Sequence, residues 1–295
     1  MISTGMAVPG LPVGNDELVA TNGLETSRDW IETRLGIHQR FISDNVATET
    51  VDLAATAVLQ AAGNADFDML IVATQTPDFV CPSTAAQVLE QIEVDATSFD
   101  VVNSCSAFAT ALDVAERFLV DHPRIVVVGV DVMSRIIDWD DRGTAVFFGD
   151  GAGAVLIEQD GMSIVRTSGT TGNHAPVSSF PNGKITMTGK DVWDFAQDAI
   201  PGILVDLCGQ AGITLDELDW IIPHQGSPVM LEHAAITMNL ERDVMQVNGG
   251  TYGNTAAASA AIMLHECHRK IKPLDNVAII GFGAGLSWHG ILFQA

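Results

Sequence analysis

In Asp100-Val-Val-Asn-Ser-Cys105-Ser-Ala-Phe-Ala-Thr-Ala-Leu-Asp-Val-Ala115-Glu-Arg-Phe-Leu119, an apolar run stops at a cysteine and a run of different period begins. Phe99 to Val102 reads as the end of a buried strand, while Ala107, Phe108, Leu112, Ala115 and Leu119 recur at helical spacing. Cys105 is therefore expected in the first turn of a helix. Unpaired N–H groups and the helix dipole favour an anion there, so the thiol is expected to ionise more readily than a free cysteine, whose pKa is about 8.5. The competing role for a cysteine among apolar neighbours is that of a small core residue, and this stretch alone leaves both open.

Outward from this junction, strands and helices alternate. Ile2 to Val8 predicts a short strand, Ala47 to Ala62 a helix, Asp68 to Thr74 a buried strand and Pro82 to Ile92 a helix with proline in its first turn. Arg124 to Val130 is all-apolar after its first residue, as in a strand covered by helices on both faces. Gly149, Gly151 and Gly153 lack the spacing of a dinucleotide fingerprint, and a tight turn with close backbone approach is the better reading. Ser163 to Ser168 begins a second series: a Gly/Ser/Asn/Pro-rich loop at Gly172 to Asn182, a helix from Gly189 to Gly209 interrupted near Pro201, a strand ending at His224, a helix from Ser227 to Met238 and a turn through Asn254 into another helix. A strand at Asn276 to Ile280, a glycine turn at Gly281 to Gly285 and a strand at Ser287 to Phe293 close the chain. This order suggests a duplication of units of about 150 residues, divided as 1–160 and 161–295.

The composition excludes several function classes. With 37 acidic against 14 basic residues and a net charge of -23, the chain lacks the cations that hold nucleic acid, and nucleic acid is not an expected partner. No apolar run reaches the ~18 residues of a membrane span, and no signal-peptide pattern opens the sequence. Cysteines at 81, 105, 208 and 267 form neither a zinc pattern nor a disulfide scaffold, so a reducing cytoplasm is expected. His265-Glu266-Cys267-His268 lacks the i, i+4 histidine pair of a zinc helix, and no metal is expected.

Three residues stand where strands and turns end: Cys105, His224 and Asn254. A thiol nucleophile, an imidazole and an amide are what acyl transfer at a thioester requires. Motifs in the same order along nearly the whole chain then carry a family resemblance: Thr26-Ser-x-x-Trp30-Ile-x-Thr-Arg34-x-Gly36-Ile37, Cys105-Ser-x-Phe108, Asp141-Arg142-Gly-Thr with Phe148-Gly-Asp-Gly-Ala-Gly153, Pro223-His224-Gln225, Tyr252-Gly-Asn254-Thr-x-Ala-Ala-Ser259 and Gly281-Phe-Gly-Ala-Gly-Leu-Ser-Trp288. The sequence resembles the ketoacyl synthase III branch of the thiolase superfamily. That resemblance implies an α/β, thiolase-like five-layered αβαβα fold with two duplicated halves, a homodimer, and a Cys105, His224, Asn254 triad. It implies an oxyanion hole from the N–H groups of Cys105 and Ala284. Trp30 and Arg142 would sandwich the adenine of coenzyme A, Arg34 would lie near its phosphates, and Met187, Gly189 and Trp193 would line the pantetheine tunnel. The implied activity is decarboxylative Claisen condensation of an acyl-CoA primer with a malonyl-type thioester, with no cofactor beyond the coenzyme A thioesters that serve as substrates. Acyl transfer to an O, N or S nucleophile, condensation without decarboxylation, or the role of partner subunit in a heteromeric synthase are the alternatives.

Departures from the family bear on partners and substrate. Val229 and Asp194 stand where basic residues often dock an acidic acyl carrier protein, so carrier use is in doubt and coenzyme A thioesters are expected to be the better substrates. Cys81 occupies the place of a bulky residue that closes the acyl pocket, which leaves either a longer pocket or one refilled by Phe79. The chain is shorter than typical relatives, chiefly between Gly172 and Ile185.

Overall fold

Both halves of the chain lay down strands in one order, and that order fixes where the functional residues emerge. The protein is described by a computed structural model over residues 3–44, 49–159, 164–179, 183–241 and 243–295. The first half comprises β1 (Ser3–Ala7), β2 (Pro12–Gly14), α1 (Asn15–Asn22), α2 (Arg28–Leu35), β3 (Gln39–Phe41), α3 (Glu49–Ala62), β4 (Met69–Ala73), α4 (Thr84–Gln91), β5 (Thr97–Val101), α5 (Ala107–Phe118), β6 (Arg124–Val132), α6 (Arg142–Ala145) and β7 (Asp150–Glu158). The second comprises β8 (Ile164–Thr170), β9 (Val177–Ser179), β10 (Ile185–Met187), α7 (Gly189–Ala211), β11 (Trp220–Pro223), α8 (Pro228–Thr237), α9 (Gly249–Tyr252), α10 (Ala258–Cys267), β12 (Asn276–Gly283) and β13 (Ser287–Gln294). The expected division at 160/161 and the expected starts at Ile2, Ala47 and Ser163 fall outside the described residues, as does the end of the loop expected to reach Asn182.

The first sheet runs β1-β7-β6-β4-β5 and the second β8-β13-β12-β11. In each, the first two neighbouring pairs are antiparallel and the next is parallel. The parallel β4–β5 pair of the first sheet has its counterpart in a single parallel bridge between Ile221 and Met245. Helices α3 and α4 cover the outer face of the first sheet, α5 and α10 lie between the sheets, and α7 with α8 covers the second. The architecture is thus the αβαβα stack that the resemblance implied. Burial explains the sequence pattern: β6 has apolar side chains and glycine with one acid, Asp131, and is buried at every residue after Arg124.

Two expectations about glycine and one about proline change. Gly151 and Gly153 lie within β7, not in a turn, and a Cβ at Gly153 would come within 2.5 Å of the Ala261 carbonyl carbon. The glycines let α10 seat directly on the strand. Likewise Gly281 and Gly283 belong to β12, which runs past Ile280 because its backbone must lie against the Cys105 turn: a Cβ at Gly283 would be 3.0 Å from Cys105 Cβ. Helix α7 continues through Pro201, since Ile200, Ile203, Leu204 and Leu207 bury one face against the second sheet and offset the lost backbone hydrogen bond.

A smaller layer covers the carboxyl ends of β4, β6, β11 and β12. It consists of α1, α2, the β2–β3 pair and the β9–β10 pair. Fully buried Arg40 anchors it by donating to Asn15 Oδ1 at 2.7 Å and to the Val146 carbonyl at 2.9 Å. Burial pushes this guanidinium down to about 10. Ligands in open α/β sheets collect at such strand ends. Gly153→Ala is expected to destabilise the protein by about 1–3 kcal/mol through overpacking on α10. Gly202→Ala, in α7 with open space around it, should instead be neutral or stabilising by up to about 1 kcal/mol. Urea unfolding of the two variants checks the contrast.

Candidate active site

The residues that follow the ends of the parallel strands meet in one chamber of about 240 Å³. Gln75 follows β4, Cys105 follows β5, Met133 follows β6, His224 follows β11, Gly283 ends β12 and Ala284 follows it; all line it, together with Asn254. Topology alone brings the cysteine of one half to the histidine and asparagine of the other.

Cys105 does not sit within the α-helix, as its spacing suggested, but in a 3₁₀ turn over Ser104–Ser106 that leads into α5. Ser104 takes φ +47°, a left-handed conformation that costs a non-glycine residue on the order of 1 kcal/mol or more. Side chains lock that turn. Ser106 Oγ donates to the Asn103 carbonyl at 2.8 Å, and Thr110 Oγ1 donates to the Ser106 carbonyl at 3.0 Å while accepting from Asn103 Nδ2 at 2.8 Å. The expectation of a readily ionised thiol is overturned. Burial pushes the Cys105 thiol up to about 12, with the charge of the nearby Asp131 carboxylate adding to it. Loss of water and the nearby carboxylate outweigh the backbone hydrogen bond that favours the thiolate.

His224 is buried, its N–H donating to the Ile280 carbonyl at 2.7 Å and its ring meeting Phe282 edge-on with centroids 5.3 Å apart. Burial holds the imidazole down at about 4, so it is neutral near pH 7. Its Nδ1 lies 2.8 Å from Ser259 Oγ. That hydroxyl also accepts the Gln225 N–H at 3.1 Å and lies 2.9 Å from the Ala256 carbonyl. Ser259 has one proton for two acceptors. Turned to Ala256, it leaves Nδ1 protonated and an Nε2 lone pair free to take a proton; turned to Nδ1, it leaves Nε2–H as a donor.

Asn254 is held by backbone bonds to the other half, its N–H donating to Phe147 at 2.8 Å and its carbonyl accepting from Gly149 at 3.1 Å. Its Oδ1 accepts the Ala256 N–H at 2.9 Å, which fixes the amide so that Nδ2 remains as a donor. Ala256, like Ser104, is a non-glycine residue at φ +47°. Both residues are followed within two or three positions by a central helix.

Two family models match the chain: 3-oxoacyl-[acyl-carrier-protein (ACP)] synthase III over residues 99–172, and the C-terminal part of the same protein over residues 208–295. The beta-ketoacyl-[acyl-carrier-protein] synthase III of Porphyra purpurea is 35% identical over 323 aligned positions, covering 100% of this chain and 98% of that protein. The chain belongs to the 3-oxoacyl-[acyl-carrier-protein] synthase III family. The enzyme of the same name from Nostoc sp. is 35% identical over 99% of this chain and 96% of its own length. Among solved structures, 3-oxoacyl-[acyl-carrier-protein] synthase III from Aquifex aeolicus VF5 superposes with a TM-score of 0.94 at 31% identity, covering 100% of this chain and 99% of that one. The priming beta-ketosynthase of the R1128 polyketide pathway does so at 0.91 and 26%, covering 99% and 95%.

For a synthase III chain, the remaining expected positions divide by place. Arg34, Met187, Gly189 and Trp193 line the chamber. Trp30, one helical turn before Arg34 on α2, lies outside the lining, and the Arg142 guanidinium rests 4.9 Å from its ring centroid. The guanidinium lies over the indole, so a purine entering between them must part them. Cys81 is exposed and does not line the chamber within the chain, and Phe79 does not swing in to replace it but stays 55% exposed. Val229 is half-buried beside the α2 terminus at Gly36, and exposed Asp194 pairs with Lys190. The sides of the His265–His268 segment diverge: both histidines reach Thr4 Oγ1, Glu266 accepts from Asn248 and Tyr252, and Cys267 is buried. Among the described residues no group of three or more candidate ligands is placed to hold a metal ion, and no helix is long and apolar enough to cross a membrane.

Sequence reading passed over Gln75 and Asp131, and named Ser259 only as part of a motif. Their signal was position alone, two residues past a strand, last but one in a strand, and one helical turn past Ala256. In the free protein, alkylation of Cys105 by iodoacetamide should rise about tenfold per pH unit from pH 7 to 10 without a plateau, because a raised pKa keeps the thiolate scarce across that range. A small thiol levels off near its pKa of about 8.5. Peptide mass spectrometry of the alkylated cysteine reads the difference.

Proposed function

We propose that the protein catalyses decarboxylative Claisen condensation of an acyl-CoA primer with a malonyl-type thioester through an acyl-Cys105 intermediate, in fatty-acid or secondary-metabolite synthesis. The observation that carries this reading is the shared chamber: a thiol and a neutral imidazole past strand ends of opposite halves, and a fixed amide donor in the turn before α10. In acylation, Cys105 Sγ attacks the thioester carbonyl as its proton passes to His224 Nε2. The tetrahedral oxygen is held by the N–H groups of Cys105 and Ala284, the carbon–sulfur bond to coenzyme A breaks, and the departing thiolate takes the proton back.

In condensation, the malonyl-type thioester places its carbonyl oxygen against His224 Nε2–H and Asn254 Nδ2. Its carboxylate leaves as carbon dioxide and the electron pair stays on the α-carbon as an enolate. That carbon attacks the acyl-enzyme carbonyl, a carbon–carbon bond forms, and the Cys105 thiolate departs to be protonated. Neutral donors suit the enolate, since desolvation makes a full cation at His224 unfavourable. Trp30, Arg142 and Arg34 are assigned to the coenzyme A nucleotide, and Met187, Gly189 and Trp193 to its pantetheine arm. No metal or organic cofactor enters.

The remaining assignments belong to the same proposal. Residues 1–160 form the half bearing the nucleophile and 161–295 the half bearing His224 and Asn254, a division supported by the repeated strand order. A homodimer is supported by the free edge of β5 and by exposed Phe79, Val80 and Val102 near it; Cys81 would act on an acyl pocket only through that contact. The relatives carry acyl-carrier-protein in their names, whereas Val229, Asp194 and a charge of -23 favour coenzyme A thioesters here. A wide kinetic preference for carrier-bound over coenzyme A-bound malonyl donor would reverse that assignment. A cytoplasmic setting is consistent with four free cysteines.

Incubation with acyl-CoA should add one acyl mass to the intact protein and none to Cys105→Ala. Labelled malonyl-CoA should then release carbon dioxide with a carbon–carbon bonded product; release of free acid or an ester instead points to heteroatom transfer. Ser259→Ala should lower the condensation rate about 10- to 100-fold while Cys105 acylation falls less, because Nε2 then lacks the partner that keeps it protonated. Equal loss in both half-reactions counts against the tautomer role.

A further inference from the structure

The wall of the chamber around Cys105 is largely apolar: Met133, Phe148, Val177 and Ile185 line it and belong to one cluster with the cysteine. The polar lining residues have other employment. His224 and Asn254 form the triad, Ser104 makes the turn, Ser227 caps α8, and Arg34 lies on α2. Gln75 alone has none of these tasks, and it follows β4 in the first half as His224 follows β11 in the second.

Its conformation is fixed at both ends. The backbone N–H donates to Asp131 Oδ1 at 2.9 Å, and Nε2 donates to Met133 Sδ at 3.5 Å. The sulfur contact orients the amide, because a carbonyl oxygen turned toward a thioether would face another acceptor. Oε1 takes no protein hydrogen bond among the described residues, and Gln75 is half-buried in the chamber wall. An apolar pocket thus contains one oriented acceptor.

We infer that Gln75 is a specificity-determining residue and that the preferred primer is a short acyl thioester bearing a hydroxyl group, which donates to Gln75 Oε1. This rests on the acyl-Cys105 reading. A plain alkyl chain strips Oε1 of water without replacing the bond, whereas a hydroxyl restores it. A keto group, which can only accept, gains nothing from that oxygen.

The test measures Cys105 acylation by rapid-quench intact mass with butyryl-, 3-hydroxybutyryl-, 4-hydroxybutyryl- and acetoacetyl-CoA, in the wild type and in Gln75→Met and Gln75→Leu. At least one hydroxyacyl thioester is expected to exceed butyryl-CoA by about tenfold in kcat/KM, the worth of one hydrogen bond, with no such gain for acetoacetyl-CoA. Both variants should lose the preference, the ratio of hydroxyacyl to butyryl kcat/KM falling to about one. Butyryl-CoA equal to or faster than both hydroxyacyl thioesters in the wild type overturns the inference, and that arm needs no variant to fold. A hydroxyl preference that survives in either variant also overturns it. Acylation by none of the four thioesters removes the acyl-enzyme reading itself, and the inference with it.

Discussion

Asp131, near the carboxyl end of β6, is fully buried where the two halves meet, and its carboxylate is satisfied entirely by hydrogen bonds to the strand-end segments around it. Oδ1 accepts from Gln75 N–H at 2.9 Å, Thr76 N–H at 3.2 Å and the Thr74 and Thr76 hydroxyls at 3.1 and 2.9 Å. Oδ2 accepts from Ala257 N–H at 2.9 Å, immediately after the strained Ala256. One charged group therefore sets the exit of β4 relative to the start of α10, and through it the direction of Asn254. The cost falls on its own acidity, since burial raises the acid to about 6 despite the donors. It falls also on the cysteine, whose ionisation the same charge opposes.

That arrangement explains why the resting site is uncharged at its reacting atoms. A half-buried thiol near 12 and a buried imidazole near 4 both favour their neutral forms. In the proposed mechanism, charge separation is confined to the moment of attack, when donors already in place meet it. Preorganisation of this kind costs strain elsewhere, and the left-handed Ser104 and Ala256 are where it is stored.

Much of this was legible in the sequence. Strand–helix alternation, the elbow at Cys105, and His224 and Asn254 at strand and turn ends follow from local period and punctuation, and the structure brings those three to one chamber. Less was legible wherever the deciding neighbour is distant. Gly151 and Gly153 read as a turn because nothing nearby shows that α10 must lie on them, and Pro201 read as a break because the burial that carries the helix through it comes from the second sheet. The thiol was misread for the same reason: a helix start is visible in sequence, but burial under β12 and a carboxylate 26 positions away is not. Gln75 has no motif at all.

The repeated strand order has a further consequence. Two identical half-chains assembled about a twofold axis would present the same residue at each matched helix start, two thiols or two amides but never one of each. Joining the units in a single polypeptide removes that restriction, so one start can carry the attacking sulfur while the other carries a neutral donor. In the proposed mechanism, the division of labour between acyl carrier and enolate holder is thus a property of covalent linkage, not of either unit.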